Sequence, residues 1–153
     1  MPDIAYCEPV SDWEQQWREL EATVLEEVNK RRAEGANCGS EGDFPPAGPL
    51  GENPALRCAA RVHSKDMSDR EFFSHTNPDG EGPGDRMDKA NYSGNTWGEN
   101  IAGGNATAEA TVQQWMDSDG HCRNIMNGNF TLLGVGYYPG GQWGHLWTQN
   151  FGG

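Results

Sequence analysis

Trp13, Trp17, Leu20, Val24 and Val28 recur at spacings of four and three, with charged residues on the positions between them. That period places them on one stripe of an α-helix. Ser11-Asp12 supplies side-chain acceptors for the first free amides, and Gly35 after Glu34 supplies the stop. A second stripe follows Asn53-Pro54, with proline at the first helical position: Leu56, Ala60, His63 and Met67 share a face. Phe72-Phe73 close this helix or the turn after it. A short helix is predicted over Asp85–Ala90. Thr107 caps another whose apolar residues are Ala110, Val112, Trp115 and Met116, ending near Ser118.

The pattern changes period elsewhere. Thr96 to Ala102 reads as a strand, and the last third reads as a hairpin. Its arms are Leu132–Tyr138 and His145–Phe151, and Pro139-Gly140-Gly141 makes the turn. Residues 36–52 are a Gly/Pro-rich connector containing Cys38 and Phe44-Pro45-Pro46, and residues 74–84 are loop. Helices first, a strand among them and a hairpin last imply an α+β fold. We expect helices packed on both faces of a small, mainly antiparallel central sheet. An N-terminal arm (1–10) precedes one domain (11–153).

Composition narrows the classes. The 153 residues carry a formal net charge of −12, which repels nucleic acid and anionic headgroups. No apolar run approaches the ~18 residues of a membrane-spanning helix. Met1-Pro2-Asp3 reads as a start placed after a removed leader. Four cysteines, none in a CxxC pair, fit two disulfides better than a zinc site and point to an oxidising, extracellular setting. Three connectivities are open to them.

His75 follows the Phe72-Phe73 pair, Glu99 lies in Trp97-Gly98-Glu99-Asn100-Ile101, and His121 follows Gly120 just past a predicted helix. Each stands at the edge of a regular element, where rigid scaffolds present functional groups. Two imidazoles and a carboxylate suit a zinc-like cation or acid–base work. Sequence spacing alone does not bring them together. His63, on an apolar stripe, reads as a core histidine with hydrogen-bonded ring nitrogens. His145 reads as an exposed or cleft-rim residue. There is no GxSxG nucleophile, and Asn77-Pro78-Asp79-Gly80 is a turn and not a calcium loop.

Several segments together resemble the CAP family, the group of cysteine-rich secretory proteins, antigen 5 and pathogenesis-related 1. Gly98-Glu99-Asn100-Ile101 resembles its GEN[IL] motif. Val28-Asn29-Lys30-Arg31-Arg32 resembles its HNxxR signature, keeping Asn29 and Arg32 but not the histidine. Phe73-Ser74-His75 and Trp115–His121 resemble the segments carrying its two pocket histidines. Gly134-Val135-Gly136 and Trp147-Thr148-Gln149-Asn150-Phe151 resemble its closing strands. The resemblance runs in order from about residue 20 to 153, in the style of the bacterial branch.

The resemblance implies an α-β-α sandwich with a cleft of two histidines and two acids able to hold a divalent cation, with zinc the first candidate. His75, His121 and Glu99 match three of those positions. The fourth falls on Ser118, where many relatives carry glutamate, and Asp117 and Asp119 flank it. A missing carboxylate implies weak binding. The resemblance also implies Cys38–Cys122, a pair that similar bacterial domains carry without the other two cysteines, leaving Cys7–Cys58. Two functions follow. One is an extracellular binding module holding the cation and a small-molecule, lipid or peptide ligand. The other is a metal-assisted hydrolase with Glu99 as base. The missing acid and absent nucleophile favour the module. Fold alone does not decide.

Overall fold

The computed structural model describes all 153 residues, Met1–Gly153. Five α-helices are present: α1 Gln15–Glu34, α2 Pro54–Asp69, α3 Pro83–Lys89, α4 Ala108–Met116 and α5 Asp119–Met126. Strands β1 Ala36–Asn37 and β2 Asp43–Phe44 form a small separate ribbon. The central sheet contains β3 Gly51–Glu52, β4 Trp97–Gly103, β5 Leu132–Gly140 and β6 Gly144–Gly152, in the order β3-β5-β6-β4. β3 pairs parallel with β5 and the other pairings are antiparallel. This is the mixed α+β architecture expected.

Strand alternation separates two layers. Leu133, Val135 and Tyr137 face a core shared with Val24 and Val28 of α1, Val112 and Trp115 of α4 and Ile125 of α5. Gly134 and Gly136 face α2 on the other side. A Cβ at Gly134 would lie 2.1 Å from Arg57 N, and one at Gly136 would lie 2.3 Å from Arg61 N. Only glycine lets the helix backbone lie this close to the strand. A second apolar cluster there joins Leu56, Cys58 and Ala59 of α2 to Met87 and Ala90.

Buried polar side chains fasten the connector. Arg32 is 1% exposed and donates to the carbonyls of Gly48, Ile125, Asn127 and Phe130. Asn29 donates to Leu50 O and accepts from Leu50 N. Disulfides join Cys7 to Cys58 and Cys38 to Cys122. The first ties the N-terminal arm to α2. The second ties the connector to α5.

Two helix boundaries differ from the sequence expectation. α1 begins at Gln15 with no side-chain cap. Ser11 instead hydrogen-bonds Glu8 O in the preceding 3-10 turn. Trp13 lies outside the helix, buried edge-on to Trp17 at 5.1 Å and stacked on Arg61, so its four-residue spacing from Trp17 mimicked a helical stripe. The helix predicted to end near Ser118 ends at Met116, and α5 follows, with Ser118 at its N-cap position. The other two predicted caps form. Asn53 accepts from Leu56 N, and Thr107 accepts from Ala110 N.

Candidate functional site

β4 is an edge strand of the sheet. From one of its faces Glu99 projects towards α3 and the loop after α2. Its carboxylate is almost fully enclosed, with 1% of the side chain exposed. Arg86 Nη2 donates to Oε1 at 3.0 Å and Oε2 at 2.9 Å. His75 Nδ1 lies 2.8 Å from Oε1. With its amide nitrogen turned toward Glu99, Asn150 donates to Oε2 at 2.9 Å and accepts from Ala60 N at 3.2 Å, so both ends meet complementary partners. Burial pushes the Glu99 carboxyl up. The hydrogen bond from His75 and the charge of Arg86 outweigh burial and hold it below the ordinary glutamate value.

A deprotonated Glu99 fixes the tautomer of His75 whenever the ring is neutral. Nδ1 carries the proton and donates, leaving the Nε2 lone pair free. The ring is 47% exposed, so this nitrogen faces outward while its partner is buried. His121 lies in the first turn of α5 and was predicted just beyond a helix end. Its backbone carbonyl accepts from Asn100 Nδ2 at 3.1 Å, and Asn124 Nδ2 of the same helix reaches Asn100 Oδ1 at 2.8 Å. These bonds hold α5 against β4. Burial, and then the charge of nearby His75, lower the His121 pKa.

The residues around the fourth position have other partners. Asp117 accepts from Gln113, Asp119 accepts from Ser40 N and Oγ, and the Ser118 hydroxyl makes no capping bond. No three His, Cys, Asp or Glu side chains gather closely enough to hold a metal ion. None of the four surface cavities includes His75, Glu99 or His121. His145 is elsewhere, on β6, bonded through Nδ1 to the Tyr137 hydroxyl at 2.7 Å.

His63 is fully buried. Nε2 meets Ser74 O at 2.8 Å, whereas Nδ1 has no partner, so the expectation of two satisfied nitrogens is half met. Burial lowers its pKa to about 4. Sequence reasoning missed Arg86, the main partner of Glu99. The one available signal was an arginine inside a seven-residue helix, Pro83–Lys89, which nothing in periodicity marks out.

A three-layer sandwich with a buried glutamate holding an exposed histidine at a sheet edge defines the class of domain. The chain belongs to the cysteine-rich secretory protein (CAP) family, whose profile matches residues 25–151. It is 45% identical over 103 residues to the uncharacterised protein YkwD of Bacillus subtilis, covering 67% of this chain and 39% of YkwD. The chain therefore spans well under half the length of that relative. An extracellular SCP-domain protein of Bacillus anthracis superimposes with a TM-score of 0.77 at 30% identity, over 90% of this chain and 41% of that one. NaASP2, solved with Zn2+, shares the fold with a TM-score of 0.56 at 15% identity, over 99% of this chain and 83% of that one.

Proposed function

We propose that this domain is an extracellular binding module, not a hydrolase, and that it presents His75 and His121 as a weak site for a divalent cation. The observation that carries the reading is the enclosure of Glu99. A general base must reach the proton it takes. Glu99 has its oxygens occupied by Arg86, His75 and Asn150, and its carboxyl is held acidic. It therefore acts as the carboxylate behind a ligating histidine, orienting the ring and raising its basicity.

The donor set suits an open, weakly held cation with two imidazoles and free positions. It does not form the closed four-ligand cage of a structural zinc site. A bound cation would supply positive charge to an anionic or carbonyl-bearing ligand. Phe73 and Trp97, the exposed large apolar side chains, lie two residues before His75 and Glu99 respectively in the chain, and they offer apolar contact for an organic ligand. The two disulfides and the extracellular Bacillus anthracis neighbour support secretion.

Calorimetry with zinc chloride tests the site. One weak site is expected at neutral pH, fading as the histidines protonate and abolished in both His75→Ala and His121→Ala. Glu99→Gln should weaken it by about 10–100-fold. Undiminished binding in either histidine variant overturns the assignment. Chelator-sensitive peptide or ester turnover that disappears in Glu99→Gln would restore the hydrolase.

A further inference from the structure

The sheet's opposite edge holds a second, unassigned feature. Beside Glu52, the last residue of β3, a cavity of about 140 Å3 opens between α1 and α2. Its floor is apolar, made by Leu25 of α1 with Leu133 and Val135 of β5. Its charged lining is three arginines against two glutamates, a local cationic surplus in a chain of net charge −12.

The three guanidinium groups are not equivalent. Arg61 is occupied by Glu21, which it meets at 2.6 Å. Arg57 pairs with Glu52 through Nη1, but its Nε is buried without a partner. Arg18 is exposed on α1, and its side chain makes no hydrogen bond or ion pair. Arg18 thus brings an unpaired guanidinium to the lining of an apolar cavity, beside Arg57, whose one ion pair is with the half-exposed Glu52. A carboxylate is the acceptor that fits a guanidinium best.

We propose that this cavity binds a small carboxylate with a compact apolar body. The carboxylate takes Arg18 and Arg57, and the body rests on Leu25, Leu133 and Val135. A cavity of ~150 Å3 accepts a benzene-sized guest, which sets the body at about six carbons. The site lies at the other sheet edge from His75 and Glu99 and does not depend on the cation reading.

Benzoate, with benzyl alcohol as its uncharged counterpart, tests the proposal by amide NMR titration of the whole chain at low salt. Benzoate should shift the Ala22, Leu25 and Val135 amides saturably. Benzyl alcohol should bind about tenfold more weakly, the loss expected for one charged hydrogen bond. Arg18→Gln, a surface substitution that leaves the fold intact, should weaken benzoate by about tenfold and leave benzyl alcohol unchanged. No saturable shift at these amides overturns the site. Equal binding of the two probes, or no effect of Arg18→Gln, overturns the carboxylate recognition.

Discussion

Two enclosed arginine–glutamate pairs stand at opposite edges of the same sheet, and their surroundings give them different roles. At the β3–β5 side, Arg61 donates through Nε and Nη2 to Glu21, whose Oε2 also accepts from Tyr137 N at 3.0 Å. Every partner of Glu21 is itself buried backbone or guanidinium. At the β4 edge, Arg86 grips Glu99 in the same chemical sense, but one partner of Glu99 is the half-exposed ring of His75. Burial wins at Glu21 and raises its pKa, whereas the bonds from His75 and Arg86 win at Glu99 and lower it. The first pair seals a sheet edge. The second transmits a fixed charge to a side chain that meets solvent. What distinguishes a presented site from a structural plug is therefore one exposed titratable partner, not the ion pair itself.

The sharpest way to break this comparison is to delete each arginine. Removing one partner of a buried pair leaves an uncompensated charge and costs about 3–5 kcal/mol. Arg61→Met should lose stability in that range in urea unfolding. Arg86→Met should lose less, because His75 and Asn150 remain on Glu99. It should also weaken zinc binding, which Arg61→Met should not. Equal losses, with zinc affinity unchanged in both, would erase the distinction between the two edges.

His63 sharpens the β4 side. Its pKa falls from 6.5 to about 4 in the folded chain because burial disfavours the imidazolium. The unfolded chain then binds the proton more readily. This residue's contribution is present above pH 6.5 and is lost as pH falls from there toward 4. The linkage relation puts the loss at roughly 3 kcal/mol. Comparing unfolding free energies of the parent and His63→Gln across that interval isolates it. A variant with the same acid-side slope as the parent would show that other groups carry the loss.

Much of this was legible in the sequence because it follows from local rules. Asn53-Pro54 and Thr107 mark helix starts through side-chain oxygens that meet free amides one turn on. Gly134 and Gly136 carried only the resemblance to the closing strands, and their close approach to α2 came from the structure. The antiparallel part of the sheet follows from the hairpin and the strand before it, whereas the parallel strand β3 lies at the end of the stretch read as connector. The start of α1 was misread because Trp13 keeps helical spacing while packing from outside the helix. α5 was missed because its eight residues, Asp119–Met126, follow Met116 after only two residues, and its stripe of Cys122, Ile125 and Met126 spans barely one turn. The partners of Glu99 were not legible at all. Arg86 and Asn150 lie 13 residues before and 51 residues after it in the sequence, and only the closing of the sheet brings them to one carboxylate. Motifs locate the glutamate, but its chemistry depends on contacts that no local pattern encodes.

The smallest effect tests whether exposure alone separates strong from weak pairs. Arg57 and Arg61 are one turn apart on α2, and they pair with Glu52 of β3 and Glu21 of α1 respectively. Arg61 and Glu21 have side chains 4% and 6% exposed, whereas Arg57 and Glu52 are 23% and 49% exposed. Water screens the second pair and competes for its hydrogen bonds, so little is lost when it is broken. Glu52→Gln should change unfolding free energy by less than about 1 kcal/mol, the usual range for surface ion pairs. The change should shrink further in high salt, since exposed charges are screened over a Debye length of ~3 Å at 1 M. Both arginines stand on one helix and line one cavity, so the pairs differ chiefly in exposure. If Glu52→Gln costs as much as Arg61→Met, burial is not what sets the strength of these pairs, and the contrast drawn between the two sheet edges loses its physical basis.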